Sequence, residues 1–213
     1  KSNYQDFQRY AELDLAIAGD AEATLPALIE ACRALIDPRR KAAIEARRAA
    51  MVAMRAEARA ASLEAATAGW DASPISTARL SAEMWQAIKG EDWSLVSADA
   101  WLSGWPHRMW SFDRHYRYLG HAGGAGVGYG LPAAVGAALA NRAHGRLSVS
   151  IQCDGDLMYA PGALWTAVHH RIPLLSVMHN NRAYHQEIMH LQRMANRRQR
   201  GVDRAWIGTT IDD

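Results

Sequence analysis

No apolar run in this 213-residue chain approaches the roughly 18 residues that a membrane-spanning helix requires, and no signal-peptide pattern opens it. Cysteine is scarce too. Cys32 and Cys153 lie far apart and cannot build a disulfide framework, which points to a reducing compartment, the cytoplasm. An excess of charge is also missing. The chain has 24 Lys and Arg against 22 Asp and Glu, and a formal charge of +2 is too small to argue for nucleic acid. Neither a nucleic-acid nor a membrane partner is expected. Because the chain starts at Lys1 rather than methionine, a removed leader stays open.

Apolar material is ample. Hydrophobic residues make up 49% and charged ones 22%, enough for a sizeable core. The first third is organised differently from the rest. Asp14 to Asp20 reads as a short strand and turn. Thr24 reads as the cap of a helix whose Leu25, Leu28, Ile29, Cys32, Leu35 and Ile36 mark one apolar face, stopped by Asp37-Pro38. Residues 39–68, rich in Ala, Arg, Glu and Met, read as one long helix. Glu45, Glu57 and Glu64 among its arginines favour a solvated connecting helix over a nucleic-acid-binding one. Residues 69–77, with Pro74, read as a linker, and a new domain is expected from Ile75.

The chemistry gathers farther on. Leu147 to Cys153 alternates apolar and polar like a strand and ends at Asp154-Gly155. Ile172 to His179 is a second strand-like run and ends at Asn180-Asn181, with 24 residues between Gly155 and Asn180. Pro161 to His170 has helical spacing between them. A strand, helix, strand crossover makes the strands parallel, so Asp154 and the asparagines emerge at one C-terminal sheet edge, where open α/β sheets hold ligands. Carboxylate and amide oxygens there suit Mg²⁺ or Ca²⁺ bridging to a diphosphate. Gly155 permits close backbone approach, and a helix beginning near Ala160 points its N-terminus the same way. Taken singly, Asp-Gly is most often a turn and Asn-Asn a loop; their joint spacing carries the reading. A Rossmann fingerprint is the rival for residues 123–130, but no clean Gly-x-Gly-x-x-Gly occurs there.

Cys153-Asp-Gly-Asp156, the spacer and Asn180-Asn181 resemble the signature of thiamine-diphosphate-dependent enzymes, with Cys153 in place of its first glycine. Residues 124–136 look like the segment that contacts the cofactor's aminopyrimidine in the acetolactate synthase and pyruvate decarboxylase group. The resemblance implies an α/β fold with a doubly wound, mostly parallel sheet, incomplete here and preceded by a helical linker. Residues 1–37 would be the tail of a middle domain, 38–74 the connecting helix and linker, and 75–213 the diphosphate-binding domain. Residues 93–98 would be its first strand, with Asp99 at the end.

The same resemblance implies thiamine diphosphate and Mg²⁺ as cofactors. Asp154, Asn181 and the Ala183 carbonyl would hold the metal. The Ala125 carbonyl and Val127 N–H, with Gly126 between them, would meet the pyrimidine, and Val127 would be the apolar wedge beneath the cofactor. The N–H groups of Gly155 and Asp156 would face the diphosphate, the Asp156 carboxylate turning away or being offset by the metal. Tyr184, His185 and His190 would line the pocket. Glu187 would work on the reaction intermediate, its pKa raised by an apolar pocket; the bland reading is a solvated glutamate on a first helical turn.

A 2-keto acid substrate is implied, with decarboxylation suggested by residues 180–187 and acetolactate-type carboligation by residues 126–136. The glutamate that activates the cofactor belongs to a pyrimidine-binding domain of another part of the chain or a neighbouring subunit. A homodimer or homotetramer of a longer polypeptide is therefore expected. The alternatives are a non-catalytic or regulatory module of this fold, one subunit of a two-component decarboxylase, or a nucleotide as the diphosphate ligand. The five arginines from Arg193 to Arg204 read as a solvated helix end or subunit contact more readily than as a clamp for an acidic substrate.

Overall fold

A computed structural model describes residues 14–98, 102–120 and 126–211. The chain divides into two units, residues 1–60 and 61–213.

The first unit contains α1 (Ala21–Ala34) and most of α2 (Pro38–Ala65), and neither helix buries a residue. No strand forms between Asp14 and Asp20. Asp20 instead caps α1, its carboxylate accepting the Ala23 N–H at 3.0 Å, so Thr24 lies inside the helix rather than at its cap. Asp37-Pro38 begins a helix as well as following one. Asp37 Oδ1 accepts the Arg40 N–H at 2.7 Å, and Pro38 takes the first helical position, where its missing N–H costs nothing.

The second unit opens with turns around residues 66–71 and then α3 (Thr77–Ile88), capped by the Ser76 hydroxyl. It holds a three-stranded parallel sheet, β1 (Trp93–Ala98), β2 (Leu147–Cys153) and β3 (Leu175–His179), in that spatial order. Between β1 and β2 come α4 (Trp105–Met109) and α5 (Gly130–Arg142). The β2–β3 crossover contains α6 (Asp154–Tyr159) and α7 (Gly162–His169), and α8 (His185–Arg197) follows β3. Asp99, Gly124 and Ala125 lie outside the described residues.

Period-two alternation divides the sheet's contacts between two faces. Trp93, Leu95, Val149 and Ile151 join Met84 and Ile88 of α3 and Met109 of α4 in the main core, with Leu147, Cys153 and Val177 packed against it. Trp93 and Trp110 meet edge to face at 5.6 Å, and the Trp110 indole donates to the Ser81 carbonyl at 2.8 Å. The opposite face presents Ser94, Ser148 and Ser150, all fully buried. There α5 lies close, its Ala134 and Ala138 having no exposed surface and its Asn141 donating to Ser148 Oγ at 3.0 Å. Small residues on both partners allow this approach, and helices cover both faces, as doubly wound sheets require.

Two details of the crossover depart from expectation. The expected helix beginning near Ala160 is present as α7, but a further short helix, α6, starts earlier at Asp154 and breaks at Ala160 because the residue before Pro161 is steered out of helical geometry. β3 starts at Leu175, not Ile172, because Ile172 terminates α7. Arg171 turns left-handed (φ 50°), its N–H reaches the Val168 carbonyl at 3.1 Å, and the Ile172 N–H reaches Ala167 at 2.8 Å. Those paired bonds form a Schellman cap, with buried Ile172 packed against Ala167.

Candidate functional site

β2 and β3 run parallel with Cys153 opposite His179, so both signature segments leave the sheet at one edge. One carboxylate joins them. Asp154 Oδ1 accepts the N–H of Gly155 at 2.9 Å, and Oδ2 accepts the N–H of Arg182 at 2.6 Å, 28 residues away. The Arg182 N–H is shared with Asn180 Oδ1 at 3.0 Å, and Asn181 Oδ1 accepts from the Ala183 N–H at 3.1 Å. Arg182 is left-handed, φ 57°, which folds the asparagine loop back towards α6. Beyond it the chain is held to residues 209–211, Tyr184 N–H donating to Thr209 and Ile211 N–H to the Arg182 carbonyl, each at 2.8 Å.

Gly155 and Asp156 fasten the rest. The Tyr184 hydroxyl donates to the Gly155 carbonyl at 3.3 Å, and a Cβ on Gly155 would stand 2.5 Å from that ring. Asp156 is buried, and its side chain points to the glycine segment, where Oδ1 accepts the Gly128 N–H at 2.5 Å. Gly128 has φ 88° and lies so close to Tyr159 that a Cβ would come within 2.7 Å. Tyr159 in turn meets Tyr184 edge to face at 6.4 Å. The segment carrying Gly126 and Val127 thus rests on α6, and α6 on the asparagine loop. Val127 itself is 52% exposed, so its side chain is unclaimed by the core.

Glu187 stands apart from this cluster. It is exposed on the first turn of α8, so the apolar surroundings expected over its carboxyl are not supplied by the described residues. With His185, His190, Met189 and Arg193 it lines an open concavity bounded by α8 and Thr209. Among the described residues, main chain alone links it to the anchor, its N–H donating to the Tyr184 carbonyl at 3.1 Å. Burial raises the Tyr184 hydroxyl pKa above the usual tyrosine range, helped by Tyr159 and the Asp154 carboxylate. Half-buried Cys153 has its thiol pushed up mainly by desolvation, against a main-chain hydrogen bond at Asp156.

Residues 101–212 match the family described as thiamine pyrophosphate enzyme, C-terminal TPP binding domain. The chain belongs to this family. Among curated relatives, the acetolactate synthase large-subunit-like protein IlvX of Mycobacterium tuberculosis is 39% identical over 71 residues, covering 33% of this chain and 13% of that protein. Benzoylformate decarboxylase of Pseudomonas aeruginosa is 42% identical over 59 residues, covering 28% of this chain and 11% of that enzyme. The thiamine diphosphate-dependent 4-hydroxybenzoylformate decarboxylase of Rhodococcus jostii RHA1 superposes with a TM-score of 0.52 at 26% identity, over 65% of this chain and 24% of that one. The chain therefore spans only a small part of each of these relatives.

Within this thiamine pyrophosphate-binding domain, several contributors escape a reading by motif. Arg182 acts through its peptide N–H, which no side-chain pattern announces. Gly128 meets Asp156 and Tyr159 of α6 through backbone geometry and close packing. The available signal was Asp156, a carboxylate where the signature gives no reason for one. No group of three or more His, Cys, Asp or Glu suited to a metal occurs among the described residues. The oxygens near the anchor come instead from one carboxylate, amides and carbonyls. No helix among the described residues is long and apolar enough to cross a membrane.

Proposed function

We propose that this chain is the diphosphate- and Mg²⁺-binding part of an enzyme that uses thiamine diphosphate to act on 2-keto acids, by decarboxylation or acetolactate-type carboligation. The observation that carries the reading is the Asp154 carboxylate gripping the Arg182 N–H, which draws both halves of the signature into one anchor. The donor chemistry fits the metal: the Asp154 carboxylate, the Asn181 amide oxygen and the Ala183 carbonyl are hard oxygens, and Mg²⁺ completes its shell with water and phosphate oxygens. The bonds from Arg182 and Ala183 N–H occupy only part of the acceptor capacity of Asp154 and Asn181.

Bound thiamine diphosphate would supply an electron sink for loss of CO₂ from a 2-keto acid. This chain's residues would hold and orient it. The Asp156 N–H, and the Gly155 N–H once released from Asp154 Oδ1, would face the diphosphate, Val127 would support the cofactor from below, and Ala125 and Gly126 would carry the main chain past the pyrimidine. Tyr184 stiffens the Gly155 turn from the other side. Glu187 would carry a proton on its carboxyl oxygen to the substrate carbon once a further protein wall covers α8. That wall, and the activating glutamate, would come from a pyrimidine-binding domain elsewhere in the polypeptide or in a second subunit of a homodimer or homotetramer. Residues 38–74 would connect it to a middle domain ending near residue 37, in a cytoplasmic enzyme.

Equilibrium titration with thiamine diphosphate in the presence and absence of Mg²⁺ tests this. Affinity should require the metal and fall about tenfold or more in Asp154→Ala, the loss of a charged ligand. Absence of binding, indifference to both changes, or full competition by NAD or ATP would remove the cofactor reading.

A further inference from the structure

Asp156 is the one buried carboxylate of the crossover, and the cofactor-binding reading gives its side chain nothing to do. Its Oδ1 takes the Gly128 N–H, while its Oδ2 is buried with no hydrogen-bond partner among the described residues. A carboxylate half satisfied in this way is costly to bury, and a neutral residue of similar size would suit stability better. What the side chain does achieve is geometric. Gly128 is left-handed and pressed on Tyr159, and the bond from Asp156 fixes the peptide that directly follows Val127.

We propose that Asp156 is a positioning residue that locks the Gly126–Gly128 turn to α6 and so sets the height of Val127 relative to the Asp154–Asn181 anchor. The inference rests on the cofactor reading above and deepens it. The residue pair Asp154 and Asp156 works in opposite directions from one helical turn: Asp154 pulls in the asparagine loop and Asp156 pulls in the glycine segment. The stretch 154–156 is thereby a joint between the diphosphate end of the site and its ring end. A residue placed for orientation here should be expendable for stability and for phosphate binding, yet matter for a ligand that reaches both ends.

Two probes separate these roles. Inorganic pyrophosphate with Mg²⁺ reaches only the anchor; thiamine diphosphate with Mg²⁺ also rests on the glycine segment. In Asp156→Ala, thiamine diphosphate affinity should fall about tenfold, while pyrophosphate affinity stays within about twofold of the unsubstituted chain. Asp156→Asn, which keeps an acceptor for the Gly128 N–H, should recover most of the loss. Amide hydrogen exchange at Gly128 should accelerate in Asp156→Ala and not in Asp156→Asn, and it reads the bond without any ligand. Unchanged thiamine diphosphate affinity in Asp156→Ala overturns the assignment, as does a parallel loss for both probes or unaltered exchange at Gly128. If the unsubstituted chain binds pyrophosphate and not thiamine diphosphate, the cofactor reading falls and this assignment with it. Should Asp156→Ala not fold, Asp156→Ser takes its place in the same comparisons.

Discussion

Gly155 leaves no room for a side chain, and the obstacle is a ring that cannot easily move. A Cβ there would stand 2.5 Å from Tyr184 Cε1, and displacing the ring would break the bond from its hydroxyl to the Gly155 carbonyl. Gly155→Ala should therefore lower stability by about 1–3 kcal/mol in urea unfolding. Adding Tyr184→Ala should make the double variant more stable than the sum of the two changes, because both act on one contact. Cys153, one residue before the anchor, makes a second test. Its raised pKa means the unfolded thiol ionises first, so its contribution to stability is whole below the unfolded pKa and is lost as pH rises through the folded one. The urea midpoint should fall as pH passes about 8.5, the ordinary thiol value, and Cys153→Ser should remove that part of the slope. Iodoacetamide should modify exposed Cys32 before Cys153 at every pH where the fold holds.

At the scale of elements, the fit between α5 and the serine face sets the tolerance. Ala138 has no exposed surface and packs with Ala167 and Ile172, so Ala138→Leu should destabilise by about 1–3 kcal/mol. Ala140→Leu, on the exposed side of the same helix, should be close to neutral, and paired urea curves distinguish the two. β2 was readable in the sequence because its alternation mirrors the two faces it separates, whereas β1, whose register shifts between Leu95 and Ser97, came from the family resemblance. The start of β3 was not readable, since Ile172 is apolar for a different reason: it seals the end of α7. α6 was missed because a six-residue helix has too few turns to express a period. Asp20 and Thr24 are both chemically apt caps for α1, and only backbone geometry separates them.

For the whole molecule, the two units should differ in how they resist opening. α1 and α2 bury no residue and so gain little from packing, whereas β2 at the centre of the second unit's sheet is buried on both faces. Amide exchange should be fast along α1 and α2 and slowest in β2, and equal protection of the two units would contradict this. The candidate site was legible to the extent that it lies at strand ends: Asp154, Asn181 and their common sheet edge follow from alternation and spacing. Its inner connections, Asp156 to Gly128 and Tyr184 to Gly155, join residues 28 and 29 positions apart, and no local pattern encodes them. Glu187 lies exposed on a first helical turn, as its bland reading has it, and the described residues supply no apolar enclosure for the catalytic one.

Arg182 lends the anchor its peptide group in a left-handed conformation. A replacement at that position has to keep a handedness more than a letter. Glycine or asparagine could take it over with ease, β-branched residues would resist the twist, and proline would delete the donor outright. Lineages could therefore rewrite the codon and keep the joint, so that a column of aligned sequences reads as drift where the architecture is fixed.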